Sequence, residues 1–590
     1  MRPVPRVRAL LVGPDGSPTR AALLLASAAV FAFAWLLRYN DPEGEYAGLT
    51  DDHYFYLVRG WQMLFGELPD RDYVDPGAPL TLAISAAMQV WLGRSIWSEH
   101  IFDVTALAVA AAATCGLAAS LTRSVSLGVV AAIFEIALFP RLYNYPKVLV
   151  YAVAIPALWA WARRPDARRR LLVAMVTALG FLLRHDHGVF VAVAFAVVVA
   201  ARRDAGWPSQ FRQVVLYAVT LLLLLSPYLI YLQVNGGVVR HFDTAYRWSQ
   251  RDRGRAPLVL PSWQTDLSLS TSPVATPSGW WQQRPVALLV ANYEWWLFWL
   301  LAALPILSLL LLAVRPAKGP PVDNDDLLRV VVVVTLAVLV DVGFLRGNLA
   351  VRFADVATPA AVLVAWLLAT VIDVIRRARV SPGSREVRLG AVGRVALAAV
   401  VIAMVATTAL VLALPMRDQI NKSSVLDGPR AIVGDALNVT ARLRHTWPLD
   451  SGGDADMRPS MQLARYFETC TAPSDRVLVT PYLPASIALG RRAFAGGHGD
   501  LRPGFFDTQA DQELTITRLR RQSVPVVIGP RRDERADFAR DLPLIDAYLR
   551  REYMDLGERD LGRGVVIELL VRRDAPVVRS YDPISFPCFR

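Results

Sequence analysis

Carboxylates crowd the stretch GLTDDHYFYLVRGWQMLFGELPDRDYVDPGAPL (48–80), which lies between two apolar runs. Asp51 and Asp52 come first in it. A carboxylate beside lipid is partly desolvated, which raises its pKa and makes it a stronger base once it is ionised. Adjacent carboxylates also suit hard divalent cations. Asp is favoured at helix N-caps as well. The alternative interpretation is therefore that the pair caps the helix that YFYLVRGWQML predicts along the membrane surface.

Four ionisable residues follow one another in RHDHG (184–188), again between two apolar runs. Ionisable groups close to hydrocarbon are costly and are usually functional. Arg184, His185 and His187 offer hydrogen-bond donors for the phosphate of an anionic headgroup. Asp186 either positions a substrate or pairs with Arg184 in a purely structural ion pair.

Arg346 and Arg352 lie six residues apart around the short loop RGNLAVRFADV (346–356). A guanidinium matches phosphate oxygens in a bidentate way. Arginines that end two helices also extend toward water to keep their charge solvated, so both interpretations stay open. Further candidates for positioning a substrate are polar residues of the same segments and of the island YNYPK: Tyr54, Asp72, Asp75, Asp186 and Lys147.

Motifs for other chemistries are missing from the sequence. It has no Walker-type Gly-Lys-Ser/Thr loop, no strand–GxGxxG–helix unit, no HExxH and no G-x-S-x-G. Without a nucleotide loop, the energy for a reaction must come from a pre-activated substrate or from a gradient. The net charge of +12 does not indicate nucleic acid, because the arginines cluster in short loops and no basic groove with interleaved aromatic residues is visible.

The elements that must position these residues are apolar segments. The chain has 590 residues and is 54% hydrophobic, and runs near bilayer length recur along it. Because backbone in hydrocarbon must satisfy its own hydrogen bonds, we predict a polytopic α-helical membrane protein with about 11–12 apolar segments. They lie near 20–37, 79–93, 101–121, 126–140, 148–162, 171–183, 189–201, 213–234, 288–314, 328–345, 357–375 and 395–415.

The placement of arginines predicts the topology. The segments expected in the cytoplasm are 1–19, 163–170, 202–212, 315–327 and 376–394. Outer loops then span 38–78 and 235–287, so that the charged stretches without a topology role face outward. One conflict arises, because four apolar segments separate the first outer loop from loop 163–170, whereas only an odd number of crossings satisfies both placements. Either one segment, such as the short 79–93, does not cross, or one segment is divided wrongly.

Residues 416–590 predict a separate α/β domain on the outer face. Strand-like runs (RVLVTP, VPVVIG and GVVIELLV) alternate with helical patterns. The helical patterns lie around 458–470, 509–522 and 534–552. Cys470 and Cys588 can form a disulfide if this domain faces an oxidising compartment, whereas Cys115 lies in an apolar run and is expected to be a packing residue.

The first outer loop resembles a known family. An acidic pair soon after the first span, a surface helix and then G-x-L-P-x-R-D-Y-x-D-x-x-x-P-L (66–80) are similar to the multi-spanning glycosyltransferases of the GT-C class. The resemblance is greatest to the group of protein mannosyltransferases and lipid A aminoarabinose transferases, and it covers residues 20–375 in architecture. Such enzymes take a sugar from a polyprenyl-phosphate carrier on the outer face and pass it to an acceptor with inversion.

The resemblance implies roles for individual residues. Asp51 matches the base of the family, and Asp52 stands where the relatives usually have Glu. Cations of the outer loops hold the carrier phosphate in these enzymes. That role is implied for Arg184, Arg346 and Arg352 by their character rather than by a strict motif.

One departure from the family concerns metal binding. Many relatives have a second acidic residue before the fifth apolar segment, where this chain has Tyr145, Pro146 and Lys147. A divalent metal would therefore need Asp186 or Asp72 as a replacement ligand. No cofactor is implied apart from this metal, which stays an open alternative.

The sequence therefore predicts a membrane glycosyltransferase, a hexosyl- or pentosyltransferase that depends on a polyprenyl-phosphate sugar. Its expected partners are the donor lipid, a glycan, lipid or protein acceptor and the bilayer, with no nucleic acid. The expected location is a bacterial cytoplasmic (inner) membrane, with a transmembrane module over 20–415 and with the active site and the domain 416–590 on the extracytoplasmic side. The alternatives are a non-enzymatic transporter or flippase of a lipid-linked glycan and a polymerase or ligase of surface glycans.

Overall fold

The computed structural model describes residues 19–40, 51–75, 77–138, 145–202, 206–255, 259–265, 284–313, 324–345, 349–380, 385–444, 458–562, 564–582 and 584–590. Helices fill the described chain up to residue 444, and strands alternate with helices from residue 458 onward. The predicted fold class, a polytopic helical protein with a C-terminal α/β region, is confirmed.

Each predicted apolar segment coincides with a helix, and the segment near 288–314 is two helices that meet at Asn292. The helices are α1 (Arg20–Asn40), α2 (Asp51–Met63), α3 (Pro79–Leu92), α4 (Ile96–Thr122), α5 (Val125–Ala137), α6 (Tyr145–Arg163), α7 (Ala167–Leu183), α8 (His185–Ala201), α9 (Trp207–Val234), α10 (Val238–Arg255), α11 (Arg284–Ala291), α12 (Tyr293–Ala313), α13 (Asn324–Asp341), α14 (Leu349–Phe353), α15 (Ala357–Val380), α16 (Arg385–Lys422) and α17 (Pro429–Arg444). Two 3₁₀ turns, Val342–Leu345 and Ala354–Val356, flank α14.

Seven helices of the described chain are long and apolar enough to cross a bilayer: α1, α4, α9, α12, α13, α15 and α16. Three further apolar helices are shorter, namely α3, α5 and α8. Small side chains let some helices approach closely. A Cβ on Gly128 of α5 would lie 2.8 Å from the Cβ of Ala119 on α4.

The aromatic end of α1 and the start of α2 lie at one end of the bundle, which we call the α2 end. Tyr39 and Tyr54 share a hydrophobic cluster there. The other end gathers the basic loops that we expect in the cytoplasm. There Arg163 Nε lies 3.6 Å from Asp325 Oδ2, and Arg202 donates to the carbonyl oxygen of Ala162 at 2.8 Å.

Helix α3 explains the conflict in the number of crossings. Near its start, Thr81 Oγ1 donates to the carbonyl oxygen of Leu183 at 2.8 Å, where α7 ends. Just after its end, Trp97 Nε1 donates to the hydroxyl of Tyr39 at 2.9 Å. Both ends of α3 therefore lie at the α2 end, so this helix does not run from one end of the bundle to the other. Three crossings, by α4, α5 and α6, remain.

The C-terminal region is a five-stranded mixed sheet with helices packed on it, in the strand order β2-β1-β3-β5-β4. Its helices are α18 (Arg458–Cys470), α19 (Pro484–Leu489), α20 (Gln509–Arg521), α21 (Arg535–Asp541) and α22 (Pro543–Glu552). Its strands are β1 (Arg476–Val479), β2 (Ala493–Phe494), β3 (Val526–Arg531), β4 (Tyr553–Asp560) and β5 (Val566–Arg572), and a hairpin of β6 (Arg579–Tyr581) and β7 (Phe586–Cys588) follows. The strands β1 and β3 pair in parallel and are apolar throughout their buried parts, as expected of strands covered on both faces.

This sheet region packs against α2. Arg59 of α2 pairs with Asp500 at 3.3 Å, and both side chains are almost fully buried. Gln62 exchanges two hydrogen bonds with the backbone of Phe494, at 3.2 and 3.1 Å. The sequence predicted α2 as a helix along an open membrane surface. The helix is confirmed, but the C-terminal region covers it, so most of its described side chains are buried.

Candidate active site

Charged side chains from four segments meet at the α2 end of the bundle. Lys147 lies in the first turn of α6, Arg184 and Asp186 at the junction of α7 and α8, Arg352 in α14 and Asp355 in the following 3₁₀ turn. The ammonium group of Lys147 interacts electrostatically with all the other four. We call these five residues the charged cluster.

Arg184 and Asp186 form the partly exposed side of the charged cluster. Arg184 has an extended backbone between the two helices, and its Nη2 donates to Asp186 Oδ2 at 2.6 Å. Asp186 Oδ1 accepts from the backbone N–H of His187 at 3.0 Å, in the first turn of α8, where the helix dipole favours a negative charge. The ion pair that the sequence allowed is therefore present. A guanidinium has five N–H donors in all, so this pair leaves donors of Arg184 for a ligand.

Lys147 and Asp355 form the buried part. Their charged atoms lie 3.8 Å apart, and their side chains are only 9% and 10% exposed. The cluster holds three basic groups and two carboxylates. Arg352 Nε is buried and has no hydrogen-bond partner within the described segments. An excess of positive charge and an unused guanidinium N–H are the features that a phosphate group requires.

Two aromatic residues connect the charged cluster to its surroundings. The hydroxyl of Tyr151, one turn after Lys147 on α6, is hydrogen-bonded to Nδ1 of His187. His187 is only 3% exposed, and its backbone N–H, which donates to Asp186, holds that carboxylate at the start of α8. Tyr56 of α2 interacts electrostatically with Arg184. Asp51 begins the same helix, five residues or about 7.5 Å along the axis from Tyr56.

Some predicted site residues lie outside the described part of the chain. The backbone of Asp51 and Asp52 forms the start of α2, but their side chains lie outside the described residues. Arg346 also lies outside them. The predicted roles of these three residues therefore stay predictions.

Other predicted site residues do not join the charged cluster. The ring of His185 stacks on Phe181 with 4.4 Å between the ring centres and points away from Asp186, toward α9 and α10. Asp75 Oδ1 accepts from the backbone N–H groups of residues 77 and 78 at 2.9 and 3.0 Å. Asp72 accepts from Leu68 N at 2.9 Å and so stabilises its own loop. Tyr54 is 3% exposed within a hydrophobic cluster.

The sequence did not single out several residues of this region. Asp355 follows Arg352 by three positions and Tyr151 follows Lys147 by four, so helical spacing from a chosen residue was an available signal. His241 and Asp70 are in contact, with 2.7 Å between Nδ1 and Oδ1, although 171 positions separate them. No local pattern indicates such a pair.

A metal centre is not visible in the described part of the chain. No group of three or more His, Cys, Asp or Glu side chains there could hold an ion. The side chains of Asp51 and Asp52, the proposed ligands, lie outside the described residues.

Comparisons with known proteins give similar structures but no similar sequences. No protein-family model matches the chain, and no curated protein matches it. The chain is similar to the crystal structure of ArnT from Cupriavidus metallidurans bound to undecaprenyl phosphate, with 12% sequence identity and a TM-score of 0.44, over 94% of this chain and 99% of that one. Against the apo state of the same ArnT, the identity is 14% and the TM-score 0.41, over 93% and 97% of the two chains.

Proposed function

We propose that the protein is a membrane glycosyltransferase that moves a sugar from a polyprenyl-phosphate carrier to an acceptor, with Asp51 as the base. The observation that supports this proposal is the charged cluster itself. Lys147, Arg184 and Arg352 come from three distant segments and meet at the end of the bundle where α2 begins. A carrier lipid places its phosphate at the membrane surface, and these cations are available to bind it.

The proposed reaction is a single displacement at the anomeric carbon of the sugar. Asp51 takes the proton of the acceptor hydroxyl, and the acceptor oxygen forms the new glycosidic bond. The bond between the anomeric carbon and the carrier phosphate oxygen breaks, and the phosphate leaves with the electron pair. General-base catalysis of this kind contributes about 10²–10⁴-fold. The basic groups of the charged cluster stabilise the negative charge that develops on the phosphate.

Each part of the charged cluster has its own role in this proposal. Arg184 and Arg352, together with Arg346, bind the phosphate, because a guanidinium donates to two of its oxygens at once. Lys147 adds a charge from the buried side. Asp186 holds Arg184 in position, and His187 in turn holds Asp186.

We also propose that the charged cluster and the C-terminal region face the extracytoplasmic side of a bacterial inner membrane. Two observations support this orientation. The basic loops lie at the opposite end of the bundle, as the positive-inside rule requires. In addition, Cys470 and Cys588 form a disulfide, and disulfides persist in oxidising compartments.

Lipid analysis of a deletion strain tests this proposal. We expect a polyprenyl-phosphate sugar to accumulate and a surface glycan to lack one residue. The wild-type gene should restore both, and Arg184→Gln should not, since it removes the charge that binds the phosphate. Arg164→Gln is the matched control, because Arg164 is exposed at the other end of the bundle. Restoration by Arg184→Gln would contradict the proposal, and so would unchanged amounts of both the carrier-linked sugar and the glycan in the deletion strain.

A further inference from the structure

A polar cavity lies beside the charged cluster, between the loop after α2, the start of α10 and the C-terminal region. It has a volume of about 60 Å³, whereas one water molecule needs roughly 10–15 Å³. Asp70, Asp75, Arg240, His241 and Phe506 are among the residues that line it. It therefore has room for several hydroxyl groups of a ligand.

The walls of this cavity contain acceptors that lack donors. Asp75 is 3% exposed, and its Oδ1 accepts two backbone hydrogen bonds. Its Oδ2 and the Oδ2 of Asp70 are both buried without a hydrogen-bond partner among the residues that the structure describes. Leaving a buried acceptor unpaired costs about 1–3 kcal/mol. Two such oxygens that line one cavity indicate a ligand with hydrogen-bond donors.

The cavity is held in a defined shape by contacts between its walls. Asp70 Oδ1 lies 2.7 Å from Nδ1 of His241, which is 7% exposed. Nε2 of His241 lies 3.3 Å from the hydroxyl of Tyr228 on α9. Arg240 pairs with Asp511 of the C-terminal region at 3.1 Å. These contacts fix the loop, α9, α10 and α20 relative to one another, so the site is preformed.

The charges around the cavity favour a neutral ligand. Among the described residues that line it, three acids face three bases: Asp70, Asp75 and Asp511 against Arg240, His241 and Arg518. A phosphate would lie beside unpaired carboxylate oxygens, and a cation would lie beside two guanidinium groups. A neutral molecule with several hydroxyl groups can donate to the carboxylates and accept from the arginines. The ring of Phe506 offers an apolar surface for its C–H groups.

The cavity is also adjacent to the charged cluster, and His185 lies between the two. Nε2 of His185 is 3.3 Å from the hydroxyl of Tyr228, which His241 also contacts. The backbone of Gly77 packs against the other side of the His185 ring. A Cβ at residue 77 would lie only 2.9 Å from Nδ1 of His185, and the φ of +95° at this position also favours glycine. Arg184 precedes His185 directly, so a ligand in the cavity lies next to the proposed site of transfer.

We propose that this cavity binds the hydroxyl groups of a neutral sugar unit of the acceptor. The assignment of this sugar to the acceptor rests on the proposed function, whereas the binding of a neutral sugar does not. The two carboxylate oxygens accept from adjacent hydroxyl groups, Arg240 donates to a third oxygen, and Phe506 packs against the sugar ring. His185 then separates the bound sugar from the phosphate-binding arginine.

Saturation-transfer NMR with the purified full chain in detergent tests the proposal, with the methyl glycosides of glucose, galactose and mannose as probes. We expect a signal from at least one of them with the wild type. Asp75→Asn replaces a carboxylate oxygen by an amide group, and we expect it to reduce the signal at least threefold. Asp243→Asn is the matched control, because Asp243 lies on α10 with its side chain 55% exposed. Its signal should equal that of the wild type.

Several results would overturn the proposal. These are the absence of a signal from all three glycosides, an unchanged signal in Asp75→Asn, or displacement of the glycoside by millimolar inorganic phosphate or tetramethylammonium. If Asp75→Asn does not fold, Arg240→Gln decides instead, with the same threefold loss expected. Binding of undecaprenyl phosphate is measured on the same samples. If that lipid fails to bind while the glycosides bind, the proposed function fails and the cavity proposal stands.

Discussion

Lys147 Nζ lies 3.8 Å from Asp355 Oδ1, and both side chains are about nine-tenths buried. The pair joins the first turn of α6 to the 3₁₀ turn that precedes α15. Buried charges are costly unless they have partners. For Lys147 these are Asp355, the nearby Asp186 and, in our proposal, the phosphate of the carrier lipid.

The first prediction concerns Lys147. Lys147→Met should weaken the binding of undecaprenyl phosphate at least roughly tenfold, because a hydrogen bond to a charged group contributes about 1.5–3 kcal/mol. Titration of the purified chain by native mass spectrometry measures it. Lys422→Met is the control, since Lys422 is half-exposed and pairs with Asp418. The double variant Lys147→Met/Asp355→Asn removes the ion pair as a unit, and wild-type affinity in it would contradict the role of Lys147.

The second prediction concerns the contact between α2 and the C-terminal region. Arg59 and Asp500 are 3% and 2% exposed and pair at 3.3 Å. Asp500→Ala leaves the buried charge of Arg59 without its partner, so it should lower the free energy of unfolding by about 3–5 kcal/mol. Arg59→Ala should cost less, because Asp500 still pairs with Arg502 at 2.9 Å. The double variant should cost clearly less than the sum of the two single variants. Denaturant unfolding followed by tryptophan fluorescence measures this double-mutant cycle.

A surface pair provides the control for that cycle. Arg550 and Asp546 pair at 2.8 Å on α22, where the arginine is half-exposed. Exposed pairs contribute roughly 0.2–1 kcal/mol, so the same cycle there should show little coupling. Equal coupling energies for the two pairs would show that Arg59 and Asp500 do not hold α2 against the sheet.

The third prediction concerns the disulfide of Cys470 and Cys588, which closes a loop of 118 positions. A cross-link over such a loop restricts the unfolded chain by about 4–5 kcal/mol. Cys470→Ser/Cys588→Ser should therefore lower the thermal stability of the C-terminal region. Cys115→Ser is the control, because Cys115 is a free buried thiol of α4. If thiol alkylation before reduction labels Cys470 and Cys588 in the purified wild type, the bond and the oxidising compartment are both excluded.

The fourth prediction concerns Asp75. Its burial and the neighbouring carboxylate of Asp70 raise its pKa to about 6, although His241 and two backbone N–H groups oppose this. The folded state thus binds this proton more tightly than the unfolded state, whose pKa is about 4. The stabilising contribution is complete below pH 4 and is lost as the pH rises through about 6.

Asp75→Asn removes this dependence. The melting temperature of the variant relative to the wild type should therefore increase between pH 4 and pH 7, by the equivalent of about 2–3 kcal/mol. Thermal unfolding across this pH range measures the difference, with the exposed Asp243→Asn as the control. A difference that is constant with pH, or that falls as the pH rises, would exclude an elevated pKa of Asp75.

The sequence was sufficient to predict the helices and strands, because the hydrophobic patterns that indicate them are local. The apolar segments became helices, and RVLVTP, VPVVIG and GVVIELLV became β1, β3 and β5. The sequence named 79–93 as a candidate for the segment that does not cross but could not decide, since an apolar helix of 14 residues looks alike whether it crosses or not. Its position depends on distant hydrogen bonds, from Thr81 to residue 183 and from Trp97 to Tyr39.

The candidate site was predictable only in part. Arg184 and Asp186 were chosen because charge near hydrocarbon is costly, and Lys147 because it belongs to the polar island YNYPK. The three residues do meet. His185 was chosen for the same reason as Arg184, but the first turn of α8 directs it to the other side, against Tyr228. The pairs of Arg59 with Asp500 and of Asp70 with His241 join distant segments. Only tertiary packing creates such pairs, so no local spacing reveals them.

The most direct measurement compares turnover and carrier binding in Asp51→Asn. Membranes of the deletion strain supply the accumulated donor lipid, and the release of undecaprenyl phosphate after addition of purified protein reports turnover. We expect turnover to fall at least about 100-fold, while the affinity for undecaprenyl phosphate stays within about twofold of the wild type. Asp52→Asn in parallel tells which carboxylate is the base. Wild-type turnover in both variants would contradict the proposed mechanism.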